Sequence, residues 1–206
     1  MNIIIDYGLG NLNSVQRGFE RVGLETKISS DIEDIRNSNS LILPGVGAFR
    51  DAINLLKENN LKDVIIEEVK KGKNILGICL GMQLLYEKSF ENGEYDGLEL
   101  LEGHIKKFDI SLKVPHMGWN DLKIQKHDPL VKYIKKGDYV YFVHSYYAQG
   151  REEDIIAYSE YEVKVPAIVK KDNIYGIQFH PEKSGSVGHN LLKAYKEIIK
   201  WKSFLQ

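Results

Sequence analysis

One cysteine in 206 residues excludes an internal disulfide and any thiolate cluster, and it leaves a lone thiol, Cys79, to explain. A surplus of either charge is also missing. Basic residues number 28 against 29 acidic ones, for a formal net charge of −1, so the totals give no basic field for nucleic acid and no acidic tail. No apolar run approaches the roughly 20 residues that span a membrane. The opening MNIIIDYGLG lacks a basic n-region, and Ile3 to Ile5 are too short for the h-region of a signal peptide. The expectation is a soluble cytoplasmic protein with no membrane or nucleic-acid partner. Histidines 104, 116, 127, 144, 180 and 189 show neither i, i+4 nor H-x₃₋₅-H spacing, so no metal and no cofactor is expected. Repeats, low-complexity tracts and Pro/Gly/Ser linkers are absent as well, and the length suits one domain over residues 1–206.

What is present is alternation. NIIID, ETKIS, SLILPG and NILGI are short β-branched or apolar runs closed by turn residues, which predicts four strands. Between them, residues 11–23, 48–59 and 61–72 carry apolar side chains at helical spacing. The pattern is that of βαβ units on a parallel sheet, and LGMQLLYEKS after Cys79 continues it as a helix. From about Gly97 the pattern turns antiparallel, with strands expected in LELLEGHIKKF, YVYFVHSYYA, IIAYSEY and PAIVKKDNIYGIQF. A last amphipathic helix is expected over residues 187–205. The expected fold class is α/β: a single domain in which one central mixed, mostly parallel sheet is flanked by helices.

Four stretches carry chemical interest. DYGLGN follows a strand, but Asn13 stands where a third glycine would complete a dinucleotide fingerprint, so a tight turn is the better reading. LPGVGAF is either a chain reversal or a loop whose backbone N–H groups near Val46 and Gly47 donate to an oxyanion. GICLG places Gly77 and Gly81 two residues either side of Cys79, the spacing of a nucleophile elbow on a strand-to-helix turn. There the start of a helix favours thiolate, although a lone cysteine is often simply a buried apolar side chain. FHPEK ends an apolar strand and offers His180 as a base. Glu182, two residues on along an extended segment, would fix its tautomer; the alternative is a solvated turn.

LPGVGAF, GICLGMQLLYE and FHPEKS, in that order and spacing, resemble the class I (triad) glutamine amidotransferases. The likeness runs over nearly the whole chain. DYGLGNLNSV, PHMGWN and YFVHSYY narrow it to the branch serving imidazole glycerol phosphate formation in histidine biosynthesis. The resemblance implies a glutaminase with Cys79 as nucleophile, His180 as general acid and base, and Glu182 as its orienting group. It further implies oxyanion donors at Leu80 and in the loop of Gly45, Val46 and Gly47, and glutamine contacts from Gln83, Glu91 and the backbone of His144, Ser145 and Tyr146. The implied partner is a (β/α)₈-barrel cyclase in a heterodimer, docked near Asn11, Trp119, Tyr141 and Lys183. Three alternatives stay open: an amidotransferase feeding another acceptor such as a nucleotide sugar, a catalytically silent binding module on the same fold, and an α/β hydrolase or protease using Cys79, to which Gln83 and PHMGWN give little support.

Overall fold

The computed structural model describes residues 1–203. Its first half runs β1 (Asn2–Ile5), α1 (Leu12–Arg21), β2 (Thr26–Ser29), α2 (Ile32–Arg36), β3 (Ser40–Gly45), α3 (Phe49–Glu58), α4 (Leu61–Lys70), β4 (Asn74–Cys79) and α5 (Leu80–Leu84). The second half is strand-rich: β5 (Tyr86–Ser89), β6 (Tyr95–Asp96), β7 (Leu101–Lys107), β8 (His116–Asp121), β9 (Lys123–Ile124) and β10 (Tyr139–His144). Then come β11 (Tyr146–Gly150), β12 (Ile155–Tyr161), β13 (Val163–Lys171), β14 (Ile174–Ile177) and α6 (Gly185–Ser203). The last positions of the expected terminal helix, 204 and 205, lie outside the described residues.

Eight strands form the central mixed sheet in the order β2-β1-β3-β4-β14-β13-β12-β9, parallel from β2 through β14 and antiparallel beyond. Strands β1, β3, β4 and β14 are buried at every position, because helices cover both faces of a parallel sheet. Successive side chains therefore enter two different cores. Ile3, Ile5, Leu41, Leu43 and Ile75 pack under α3 and α4 with Phe49, Ile53, Leu56 and Ile65. Ile4, Ile42, Leu76 and Ile78 pack on the other side with Val15 and Phe19 of α1 and Leu191, Leu192 and Tyr195 of α6. Each fully buried aliphatic side chain contributes about 1.5–3 kcal/mol.

Three expectations change. LGMQLLYEKS is helical only through Leu84, and residues 86–89 are a strand. The carbonyls a longer helix would need are taken from elsewhere in the chain: Leu98 N–H donates to Leu84 O, and Leu100 and Leu101 N–H donate to Leu85 O. YVYFVHSYYA divides at Ser145 into β10, which pairs with β8, and β11, which joins a separate four-stranded sheet of order β11-β7-β5-β6. The antiparallel strands thus do not all enter one sheet. Helix α2 has only one apolar turn, too little for a periodicity signal; Asp31 caps it by accepting from Glu33 and Asp34 N–H.

Candidate active site

The sheet order brings the motifs together. β3, β4 and β14 are neighbours, with Gly45 in register with Cys79 and Ile78 with Ile177, so PGVG, GICLG and FHPEK all leave the same rim. In open α/β sheets that carboxyl rim is where ligands bind. A cleft of ≈ 360 Å³ opens there, lined by residues that include Val46, Gly47, Cys79, Leu80, Gln83 and His180. Its size falls within the range of about 300–1,000 Å³ typical of small-molecule sites.

Cys79 sits at φ 56°, ψ −115°, a conformation that costs a non-glycine residue of order 1–3 kcal/mol. The two flanking glycines make the turn feasible. A Cβ on Gly81 would lie 1.7 Å from the Leu43 carbonyl oxygen, and one on Gly77 would lie 2.6 Å from Gly81 O. The start of α5 is thus pressed against both β3 and β4. Leu80 is the first residue of α5, so its N–H has no intrahelical acceptor and remains available beside the thiol. With α5 only five residues long, a helix dipole contributes less to Cys79 than the sequence suggested. The side chain that Cys79 meets is that of His180.

His180 Nδ1 lies 2.8 Å from Glu182 Oε1, which leaves Nε2 to hydrogen-bond Cys79. Burial alone would depress the imidazole. The hydrogen bonds and negative charge of Cys79 and Glu182 outweigh it and push His180 from its ordinary 6.5 to about 10, favouring imidazolium. The Glu182 carboxylate is 3% exposed, and its Oε2 has no hydrogen-bond partner among the described residues, so the His180 charge is its compensation. The segment after His180 is not extended as expected: Pro181–Lys183 is a single 3₁₀ turn that folds Glu182 back onto the ring. Two anchors missed in the sequence hold this turn. Ser184 Oγ donates to His180 O and accepts from Tyr141 N–H, while His180 N–H donates to Tyr141 O.

The remaining walls of the cleft come from α5 itself and from the strand-rich half. Gln83 Nε2 donates to Tyr146 O and to Gln178 Oε1, both at 3.0 Å. Both its hydrogens are spent, so Oε1 is the polar atom left to meet a ligand, as an acceptor. Glu91 Oε2 accepts from Phe49 N–H at 2.7 Å and caps α3, whose own N-cap Ala48 supplies no side-chain bond. Its second oxygen is left for a cation. His144, Ser145 and Tyr146 also line the cleft. Gly45 and Gly47 differ in kind. A Cβ on Gly45 would meet Tyr7 Oη at 2.7 Å, whereas Gly47 sits at φ +93° with open space around it. The Tyr7 hydroxyl further fixes the loop by donating to Pro44 O at 2.9 Å.

Trp119 is 56% exposed and meets Tyr141 edge-on at 6.1 Å between ring centroids; Asn11 and Lys183 are exposed as well. Among the described residues, no group of three or more His, Cys, Asp or Glu side chains converges to hold a metal, and no helix is long and apolar enough to cross a membrane.

Comparison with known proteins extends this geometry. The family model "Glutamine amidotransferase class-I" matches residues 3–197. The imidazole glycerol phosphate synthase subunit HisH of Caldanaerobacter subterraneus subsp. tengcongensis is 52% identical over 198 residues, covering 96% of this chain and 98% of that protein. The subunit of the same name from Lactococcus lactis subsp. lactis is 54% identical over 198 residues, with the same coverage of both chains. A crystal structure of a glutamine amidotransferase superposes with a TM-score of 0.76 at 19% identity, covering 96% of this chain and 98% of that one, and it speaks to the fold. Since the matched region runs from β1 into α6 and takes in the glycine-rich loop, the elbow and the histidine turn alike, the chain belongs to the class I glutamine amidotransferase family.

Proposed function

We propose that the chain is the glutaminase subunit of an imidazole glycerol phosphate synthase, hydrolysing glutamine at Cys79 and handing the ammonia to a (β/α)₈-barrel cyclase. The observation that carries this reading is the Cys79, His180, Glu182 line set at a cleft that Gln83 and Glu91 also line, each with a side-chain oxygen left to accept. A glutamine would direct its ammonium to the free Glu91 oxygen and an N–H to Gln83 Oε1, bringing its carboxamide to the elbow.

Cys79 Sγ attacks the carboxamide carbon. The C–N bond breaks, the Nε2 proton of His180 goes to the departing ammonia, and a glutamyl thioester remains. The negative charge on the carbonyl oxygen is met by the Leu80 N–H and by an N–H of the loop at Val46 and Gly47, a loop that glycines leave free to rotate. Water then adds to the thioester, His180 takes its proton, and the C–S bond breaks to release glutamate. One residue serves both steps because its environment changes. The anion at Cys79 helps hold His180 protonated, and in the neutral thioester that influence is gone, so the ring becomes a base when one is needed.

Glu182→Gln removes one of the causes that raise His180. Glutamine turnover is expected to fall about 10²-fold, with the alkaline limb of its pH profile moving to lower pH. A titration of kcat/KM against pH checks both effects, and an unchanged limb would contradict the role given to Glu182.

Free ammonia becomes ammonium in neutral water and loses its nucleophilicity, so a partner must seal the cleft. Trp119 and Tyr141 on the outward face of β8 and β10, with Asn11 and Lys183, are the contacts proposed for the barrel. The test is purification of the chain with its natural partner, followed by an acceptor screen. Glutamine-dependent conversion of a phosphoribulosyl formimino nucleotide to imidazole glycerol phosphate and AICAR is expected. Turnover of a nucleotide sugar alone would contradict the acceptor assignment.

A further inference from the structure

The paired strands β8 and β10 have two chemically different faces. Outward, Met117, Trp119 and Tyr139 are more than half exposed. Inward, one residue along, stand His116 and Asn120 of β8 and Phe142 and His144 of β10. The inward polar groups form one continuous chain. Asn120 Nδ2 lies 3.3 Å from His116 Nε2, His116 Nδ1 lies 3.0 Å from His144 Nε2, and His144 Nδ1 lies 2.7 Å from the Tyr146 carbonyl. That carbonyl is the one that Gln83 Nε2 also grips.

The direction of every bond in the chain follows from its ends. The Tyr146 carbonyl can only accept, so His144 carries its proton on Nδ1 and offers a lone pair at Nε2. His116 must then carry its proton on Nδ1 and accept at Nε2, which requires a donor from Asn120. From the other end, Asn120 Nδ2 is claimed by the Glu160 carbonyl at 3.0 Å and Asn120 Oδ1 by Asp121 N–H at 2.9 Å. Both ends demand the same orientation. The scheme needs two neutral rings, and burial supplies them, pushing His116 down to about 4 and His144 to about 3. His116 is further held by stacking on Phe142 at 4.6 Å and Tyr161 at 4.0 Å.

We infer that His116 and Asn120 are positioning residues for glutamine: their directed hydrogen bonds fix the Tyr146 carbonyl, and through it the amide orientation of Gln83, from outside the cleft. The inference rests on the reading of the cleft as a glutamine site. Neither residue lines it. If the relay ran the other way, His144 would present a lone pair to the Tyr146 carbonyl, and Gln83 would lose the fixed acceptor that pairs with it. The strand that carries Trp119 toward a partner carries Asn120 and His116 toward this carbonyl, so displacement of β8 reaches the pocket directly.

Asn120→Asp tests this with a side chain of the same shape that accepts where asparagine donates. In the complex with the natural partner, KM for glutamine should rise about tenfold, while turnover with added ammonium salts and the melting temperature stay close to wild type. His116→Phe keeps the ring stack and deletes both nitrogens, so it should show the same rise. His116→Asn returns an N–H near the Nδ1 position and should recover KM to within about threefold. Wild-type KM in both Asn120→Asp and His116→Phe would overturn the relay, as would a His116→Asn protein no better than His116→Phe. If His116→Phe does not fold, the Asn120→Asp result decides alone. A wild-type complex that fails to use glutamine would instead overturn the glutaminase reading itself.

Discussion

Cys79→Ala is expected to lower glutamine-dependent turnover by about 10⁴-fold or more, while the partner keeps its activity with added ammonium salts. Removing a nucleophile that no neighbour can replace eliminates the covalent route, and what survives is only what binding and oxyanion donors contribute. No neighbour can substitute here: Cys79 is the sole cysteine, and the elbow geometry that presents it belongs to that one position. The fold should tolerate the change, because alanine fits wherever cysteine does and loses only the sulfur from a buried side chain that borders the cleft. Parallel assays with glutamine and with ammonium distinguish loss of the nucleophile from loss of the complex. Equal loss of both activities would contradict the role assigned to Cys79.

Gly81→Ala should be nearly as damaging, for a purely steric reason. The new methyl would lie 1.7 Å from Leu43 O and 2.7 Å from Leu43 C, both backbone atoms that no rotamer change can move. Either β3 or α5 must shift. Overpacking of this kind costs about 1–3 kcal/mol of stability. The displacement also falls on the two elements that carry the oxyanion donors, since Gly45 already packs against Gly81 N. A misplacement of about 1 Å at a reacting centre can cost 10²-fold, so turnover should fall at least that far in whatever protein still folds. Thermal melting and glutamine turnover measured together check this, and a variant with wild-type values for both would show that the elbow is looser than its geometry implies.

Much of this site was legible in the sequence because its parts are local. A strand that ends in a glycine-flanked cysteine, a glycine-rich turn after another strand, and a histidine before proline each announce a backbone position that residue type dictates. Sheet order then did the assembling, by making β3, β4 and β14 neighbours. What could not be read locally was settled by distant hydrogen bonds. Residues 86–89 became a strand because backbone N–H groups near residue 100 claimed the carbonyls of Leu84 and Leu85. Glu91 reached back to cap a helix 42 residues earlier in the chain, and His116 found His144 at a separation of 28. Neither pairing has a spacing rule. Histidines that lack metal spacing gave no signal of their own, although PHMGWN and YFVHSYY were singled out as segments, and only strand pairing shows that their histidines face each other.

The most direct measurement is rapid acid quench of the complex during glutamine turnover, followed by peptide mass spectrometry. A glutamyl adduct should appear on the peptide containing Cys79 during wild-type turnover and be absent in Cys79→Ala. Wild-type glutamine turnover with no adduct on Cys79, or an adduct on a different residue, would contradict a thioester mechanism at this elbow.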